Sequence, residues 1–176
     1  PGIRVFRVTG SAASPTPVFE RFLGFYKFDT GAGAIADASP LPGSATKIAV
    51  IERAGWPNGK LVPGQGLPNN RVCIIDLNVK DDDHVFVKNC VLNYHAISDP
   101  FDTDNNGLTT AALSQWTSEQ LIIVDDWCMI GGTDTNFPLT NQFGLTSAQT
   151  PDFQEVADTR WMVVCFYDPV FGDGYS

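Results

Sequence analysis

Residues 71–92 read RVCIIDLNVKDDDHVFVKNCVL, and this stretch predicts an antiparallel β-hairpin. Two apolar-rich segments flank the tetrapeptide KDDD, which is rich in turn-forming aspartate. If the first two aspartates form the turn, Cys73 faces Cys90 and Leu77 faces Phe86. The apolar side chains then share one face, and polar side chains such as Asp76 lie on the other. This alternation is typical of a half-buried antiparallel pair.

The rest of the chain contains further strand signals separated by long stretches rich in glycine and proline. Residues 120–130 read as a strand with a bulge, since two aspartates interrupt it, and residues 160–167 read as a buried strand. Residues 109–119 are the best helix candidate, and Pro151 marks a possible start of a second short helix. Further strands are predicted at 3–9, 18–28 and 47–53, and loops at 11–17, 29–46 and 54–70, of which the last two are expected to be flexible.

These elements predict a single domain over residues 1–176. Strands that alternate regularly with helices are absent from the pattern, and no repeat of fixed period occurs. The expected fold class is therefore all-β, mainly an antiparallel sandwich or barrel, with one or two short helices and long loops.

The charge of the chain excludes several classes of partner. The formal net charge is -9, and the sequence contains no cluster of Lys and Arg that would neutralise phosphates. We therefore expect neither nucleic acid nor an anionic membrane surface as a partner. No signal peptide is visible, and the N-terminal Pro1 favours synthesis in the cytosol followed by removal of methionine, with later release into a virion or an extracellular assembly left open.

The four cysteines do not form a metal-binding motif. Cys73, Cys90, Cys128 and Cys165 are widely spaced, and no CxxC pair occurs. Cys73 and Cys90 face each other in the predicted hairpin, within reach of a cross-strand disulfide, although a hydrogen-bonded pair would hold their Cβ atoms too far apart for the strict geometry of that bond. Because no secretory signal is visible, four reduced and mostly buried thiols are expected.

One loop resembles the start of a calcium-binding loop. Residues 102–107 read DTDNNG, which places oxygen ligands on Asp102, Asp104 and Asn106, and Asp99 is a further candidate ligand. An EF-hand needs a bidentate Glu at position twelve of the loop, where this chain has Leu113. The preferred interpretation is a turn in which the aspartates bind their own backbone amides, with calcium as the alternative cofactor.

The sequence contains no catalytic motif. A hydrolytic triad would have to use His84 or His95, the two histidines of the chain, and no nucleophile motif accompanies either one. We therefore expect no enzymatic activity.

Three functions remain as hypotheses. The leading one is a structural or assembly protein, such as a virion decoration protein, a minor capsid protein or a filament subunit, which associates with itself or with another structural protein. The alternative is a carbohydrate-binding β-sandwich with a structural calcium loop, in which an exposed aromatic such as Trp56 would stack on a sugar. An enzyme on a β scaffold is the third.

Overall fold

The computed structural model describes residues 2–11, 13–29, 32–53, 70–98, 100–101, 109, 118–133 and 161–172. Within these ranges the fold is all-β and antiparallel, as the sequence predicts, with one short 3-10 turn at Tyr94–Ala96. Among the same residues, no helix has the length and apolar character needed to cross a membrane. The strands are β1 (Gly2–Ser11), β2 (Ser14–Lys27), β3 (Ala34–Pro40), β4 (Lys47–Arg53), β5 (Asn70–Lys80), β6 (Phe86–Asn93), β7 (Ser118–Ile123), β8 (Cys128–Thr133) and β9 (Trp161–Cys165).

The predicted hairpin is formed by β5 and β6, with the expected register at its centre. Cys73 pairs with Cys90, but nearer the turn Lys80 pairs with Phe86, so the predicted two-residue turn and the pairing of Leu77 with Phe86 are wrong. The cause is Asp81, whose Oδ1 accepts hydrogen bonds from the backbone N–H groups of Asp83 and Val85. A turn built around this carboxylate is longer than two residues and shifts the register.

A central sheet of order β3-β4-β5-β6 carries apolar side chains on both faces. On one face, Val72 and Ile74 pack in a core with residues of the second sheet, which has the order β7-β8-β9. On the other face, Cys73 and Ile75 pack with Tyr26 at the base of the β1–β2 pair. Because alternate residues of a strand point to opposite faces, the central sheet is the middle one of three layers.

The second sheet corrects two predictions. Residues 120–130 belong to two strands, β7 and β8, and the two aspartates lie in the turn between them. Asp125 Oδ1 accepts hydrogen bonds from the N–H groups of Trp127 and Cys128, which closes this turn. The helix predicted at 109–119 is wrong at its end, since Ser118 and Glu119 belong to β7; residues 110–117 lie outside the described ranges.

Two further predictions differ from the structure because strands pair with partners distant in sequence. Within the predicted loop 29–46, Ala34–Pro40 form β3 beside β4. The Asp37 carboxylate of β3 accepts a hydrogen bond from the Leu121 N–H at 2.8 Å, which links the edges of the two sheets. Proline-rich residues 14–17, predicted as loop, belong to β2, where an edge strand tolerates the missing N–H.

The predicted reduced cysteines are also wrong, since the structure contains the disulfides Cys73–Cys90 and Cys128–Cys165. Both link directly opposed residues of neighbouring antiparallel strands. The Cα atoms lie 3.8 Å and 4.2 Å apart, respectively. Both separations are shorter than the roughly 5.5 Å of the hydrogen-bonded pair that the sequence argument assumed.

Candidate functional site

The β1–β2 ribbon, termed the arm below (residues 2–27), is the most unusual surface feature. Its two strands pair with each other along most of their length, from Gly2 and Lys27 to Ser11 and Ser14. Among the described strands, neither belongs to a larger sheet. An isolated two-stranded ribbon is at best marginally stable in water, so the arm depends on contacts outside itself.

One side of the arm, termed the aromatic face, carries Phe6, Val8, Phe19 and Phe22. The ring of Phe6 lies 5.5 Å from the rings of both Phe19 and Phe22. Phe19 is nevertheless 74% exposed and Phe6 is 44% exposed. Exposed apolar clusters of this kind are typical of surfaces that contact another molecule.

Charge is distributed unevenly between the arm and the remainder of the chain. Residues 1–28 contain four basic side chains (Arg4, Arg7, Arg21 and Lys27) and one acidic side chain (Glu20), a net charge of +3. The remaining residues contain seven basic and 19 acidic side chains, a net charge of -12. The arm is therefore a basic projection on an acidic body.

A buried ionic network fixes the base of the arm to the central sheet. Glu52 of β4 is 0% exposed, and its Oε2 accepts hydrogen bonds from the Tyr26 hydroxyl at 2.7 Å and the Lys88 ammonium at 2.6 Å. Its Oε1 accepts the Asp29 N–H at 2.6 Å. The Asp29 carboxylate in turn pairs with Lys88 and with Arg71, each at 2.9 Å. Burial, followed by the hydrogen bond to Glu52, raises the pKa of Tyr26, so this hydroxyl stays protonated.

Two hydrogen bonds near the β5–β6 turn hold strand β2 of the arm at residues that precede Tyr26. The Phe25 N–H donates to the His84 carbonyl at 2.9 Å, and the Lys80 ammonium donates to the Leu23 carbonyl at 3.0 Å. His84 adopts a positive φ of 61°, a backbone conformation that is uncommon outside glycine. Beyond Leu23, the arm projects with its aromatic face exposed.

A second exposed apolar surface lies on the side of the second sheet that faces away from the core. This surface, termed the outer face, carries Ile122, Trp161 and Val163, which are 51%, 58% and 67% exposed. The prediction of a buried strand at 160–167 is therefore wrong for this face of β9. Along β9, exposed residues alternate with partly buried ones, and the exposed ones form the outer face. Exposed acidic residues lie at one end of the same sheet, in the β7–β8 turn and after β9, namely Asp125, Asp126 and Asp168.

The structure does not test the predicted calcium loop. Asp102, Asp104 and Asn106 lie outside the described residues, as do Asp99 and Trp56. Among the residues that are described, one group of three potential metal ligands occurs, Glu52 with Cys73 and Cys90. Both sulfur atoms belong to a disulfide and supply no thiolate, so this group does not form a metal site.

The two histidines of the chain lie in different backbone settings. His84 lies exposed in the β5–β6 turn, and His95 belongs to the 3-10 turn after β6.

The arm and the outer face were not predicted as sites from sequence. A signal for the arm was available in the counts of charge, since a +3 segment precedes a -12 remainder. Glu52 gave no such signal, because its burial depends on Tyr26 and Lys88, each at least 26 positions away.

Comparison of the chain with protein-family models, with curated proteins and with solved structures finds no match.

Proposed function

We propose that this chain is a structural subunit that assembles with other copies through its arm. The observation that carries the proposal is the aromatic face, on which Phe6, Phe19 and Phe22 are exposed at 44%, 74% and 41%. Removing such rings from water stabilises association, because burial of apolar area is the main favourable term. A filament subunit, a virion decoration protein and a minor capsid protein all act through contacts of this kind.

The anchoring of the arm supports the same proposal. A ribbon held at its base by the Glu52 network has fewer conformations to lose when its far end binds. Such preorganisation strengthens association without additional contacts.

The two disulfides support assembly in an oxidising environment. Disulfides persist outside the cell and on virion surfaces, where subunits of fibres and capsids reside.

The experiment that tests the proposal is light scattering with negative-stain microscopy of the purified chain over a range of concentrations. We expect oligomers that grow with concentration. The double substitution Phe6→Ser with Phe19→Ser should leave a folded monomer, since both side chains lie outside the core clusters.

The matched control is Val18→Ser. Val18 is 59% exposed and neighbours Phe19 in β2, so it points to the opposite side of the arm. This variant should assemble normally. A chain that remains monomeric up to about 1 mM, a concentration that detects association of only about −4 kcal/mol, would refute the proposal.

A further inference from the structure

We infer that the arm of one copy docks on the outer face of a second copy, so that the subunits join head to tail. This inference rests on the proposed function and names the surface that accepts the arm. It is carried by the layer order of the fold, by the exposed apolar side chains of β7 and β9, and by the opposite charges of the two surfaces.

The layer order separates the arm from the outer face of its own chain. Tyr26 at the base of the arm packs on the face of the central sheet that carries Cys73 and Ile75. The second sheet packs on the opposite face, which carries Val72 and Ile74. The arm and the outer face therefore belong to opposite sides of the sandwich, and a contact between them joins two copies.

The outer face has the apolar character that the aromatic face of the arm needs. Ile122, Trp161 and Val163 expose half or more of their surface, and the Cys128–Cys165 disulfide lies on the same side of the sheet. Alternation along β9 directs Met162 and Val164 into the core instead. The outer face is thus an exposed apolar surface on a disulfide-linked sheet.

The charges of the two surfaces are complementary. Asp125, Asp126 and Asp168 are exposed at one end of the second sheet, where β7 and β9 end and β8 begins. Residues 1–28, which include the arm, carry a net charge of +3. Opposite charges around an apolar contact raise the association rate and disfavour wrong partners.

A groove on the central sheet is a weaker acceptor. It has a volume of about 180 Å³, and its lining includes Val79 and Val87. Two lysines, Lys47 and Lys88, also line it against a single aspartate, Asp76. Because Lys88 is already paired with Glu52 and Asp29, the groove offers a basic arm no surplus of negative charge, whereas exposed aspartates lie at one end of the sheet that carries the outer face.

The experiment uses two variants that are defective at different surfaces. The arm variant is Phe6→Ser with Phe19→Ser, and the acceptor variant is Ile122→Ser with Val163→Ser. Head-to-tail docking predicts that each alone is monomeric, with a dissociation constant raised about tenfold or more. Mixed in equal amounts they should form a heterodimer and nothing larger, because one supplies an intact outer face and the other an intact arm.

A second acceptor variant distinguishes loss of docking from loss of folding. Val163→Lys places a positive charge at a 67% exposed position, where it repels the arm without disturbing the core. Val87→Ser is the matched control, since Val87 is a strand valine that is 55% exposed and lines the groove instead. We expect Val163→Lys to be monomeric and Val87→Ser to assemble as the unmodified chain does.

The outcomes separate this inference from the proposed function. One outcome would be that the unmodified chain and both acceptor variants assemble while the arm variant stays monomeric. The inference then fails and the proposed function stands. A mixture that stays monomeric overturns head-to-tail docking, as does loss of assembly in Val87→Ser. An acceptor variant that still dimerises through its intact arm indicates contact between two arms and overturns it as well. If the unmodified chain is monomeric, the proposed function itself fails. Binding of a labelled oligonucleotide by that monomer would assign the arm to nucleic acid and overturn the inference.

Discussion

Glu52 is a carboxylate buried completely between the central sheet and the arm. Removing a charge from water is costly, and attraction to Lys88 offsets that cost only because other donors satisfy the remaining oxygen lone pairs. Tyr26 and the Asp29 N–H supply those hydrogen bonds, so the buried charge of Glu52 is stabilised only when all of these partners are present.

The first prediction is that Glu52→Ala lowers the free energy of unfolding by about 3–5 kcal/mol, the range for a buried pair that loses one partner. The substitution leaves the Lys88 ammonium, which is mostly buried, without its closest carboxylate. Urea unfolding with the disulfides intact measures the change. Glu20→Ala is the control, because Glu20 pairs with Arg7 at the surface, where a pair contributes about 0–1 kcal/mol. Equal effects of the two substitutions would contradict the role given to Glu52.

The second prediction concerns alkaline pH and follows from Tyr26. Burial and the nearby Glu52 carboxylate raise the pKa of this hydroxyl in the folded chain. The unfolded chain releases the proton near pH 10, so stability is fully present below that pH and falls as the pH rises above it. Burial raises the pKa of Tyr94 in the same direction. The expected slope is about 1.4 kcal/mol per pH unit for each tyrosine.

Urea unfolding at several values of pH between about 8 and about 11 tests this slope. Tyr26→Phe should make the alkaline decline shallower, because phenylalanine cannot ionise. A decline of the same steepness in this variant would show that Tyr26 does not cause it.

At the scale of the element, sequence patterns predicted the centre of the local β5–β6 pair, missed its turn, and did not predict the pairing of distant strands. Alternating side chains within residues 71–92 predicted the β5–β6 pair and the meeting of Cys73 with Cys90. The Cys128–Cys165 pair joins residues 37 positions apart, and nothing in either strand specifies its partner. Strand β3 was missed because its alanines, serine and proline are typical of loops, and pairing with β4 overrides that composition.

The candidate site shows the same limit. Strands were predicted at 3–9 and 18–28, close to β1 and β2. The sequence does not reveal that these two strands pair with each other and not with the larger sheets. The outer face depends on how β9 pairs with β8, which the hydrophobicity of residues 160–167 cannot reveal.

The third prediction is that the two disulfides are reduced in a fixed order. Cys165 is exposed, whereas Cys73 is fully buried, so a reductant reaches Cys128–Cys165 first. Opening this loop of 37 residues should lower the free energy of unfolding by about 4 kcal/mol in the chain-entropy model. Alkylation after increasing times in dithiothreitol, followed by peptide mass mapping, gives the order.

The double substitution Cys128→Ser with Cys165→Ser is the control for this order. It should reproduce the loss of stability and show no labelled thiol in the absence of reductant, since Cys73–Cys90 remains. Labelling of Cys73 before Cys165 in the unmodified chain would contradict the predicted order.

At the scale of the whole molecule, the fold places one basic projection and one acidic apolar surface on opposite sides of a three-layer body. A contact between two different surfaces leaves a free copy of each at the ends of any oligomer. Such a contact continues into a chain or ring, whereas contact between identical surfaces ends at a dimer. The proposed docking of the arm on the outer face therefore predicts a chain or a ring of subunits.

The fourth prediction is that salt slows assembly by weakening the attraction between arm and body. Raising the salt concentration from about 0.01 M to about 0.15 M shortens the Debye length from about 30 Å to about 8 Å. The association rate constant should fall about tenfold or more, and the dissociation rate constant should change much less, because apolar contacts hold the complex once it forms. Stopped-flow light scattering at several salt concentrations measures the association rate.

The triple substitution of Arg4, Arg7 and Arg21 by Gln isolates the contribution of the arm, since it leaves residues 1–28 with no net charge. This variant should associate slowly at low salt and respond little to added salt, while its aromatic face still binds. Lys47→Gln is the control, because it removes a positive charge from the acidic body and leaves the attraction in place. If the triple variant retained the salt dependence of the unmodified chain, the attraction would have to arise elsewhere on the molecule, and the basic arm would not be what guides the subunits together.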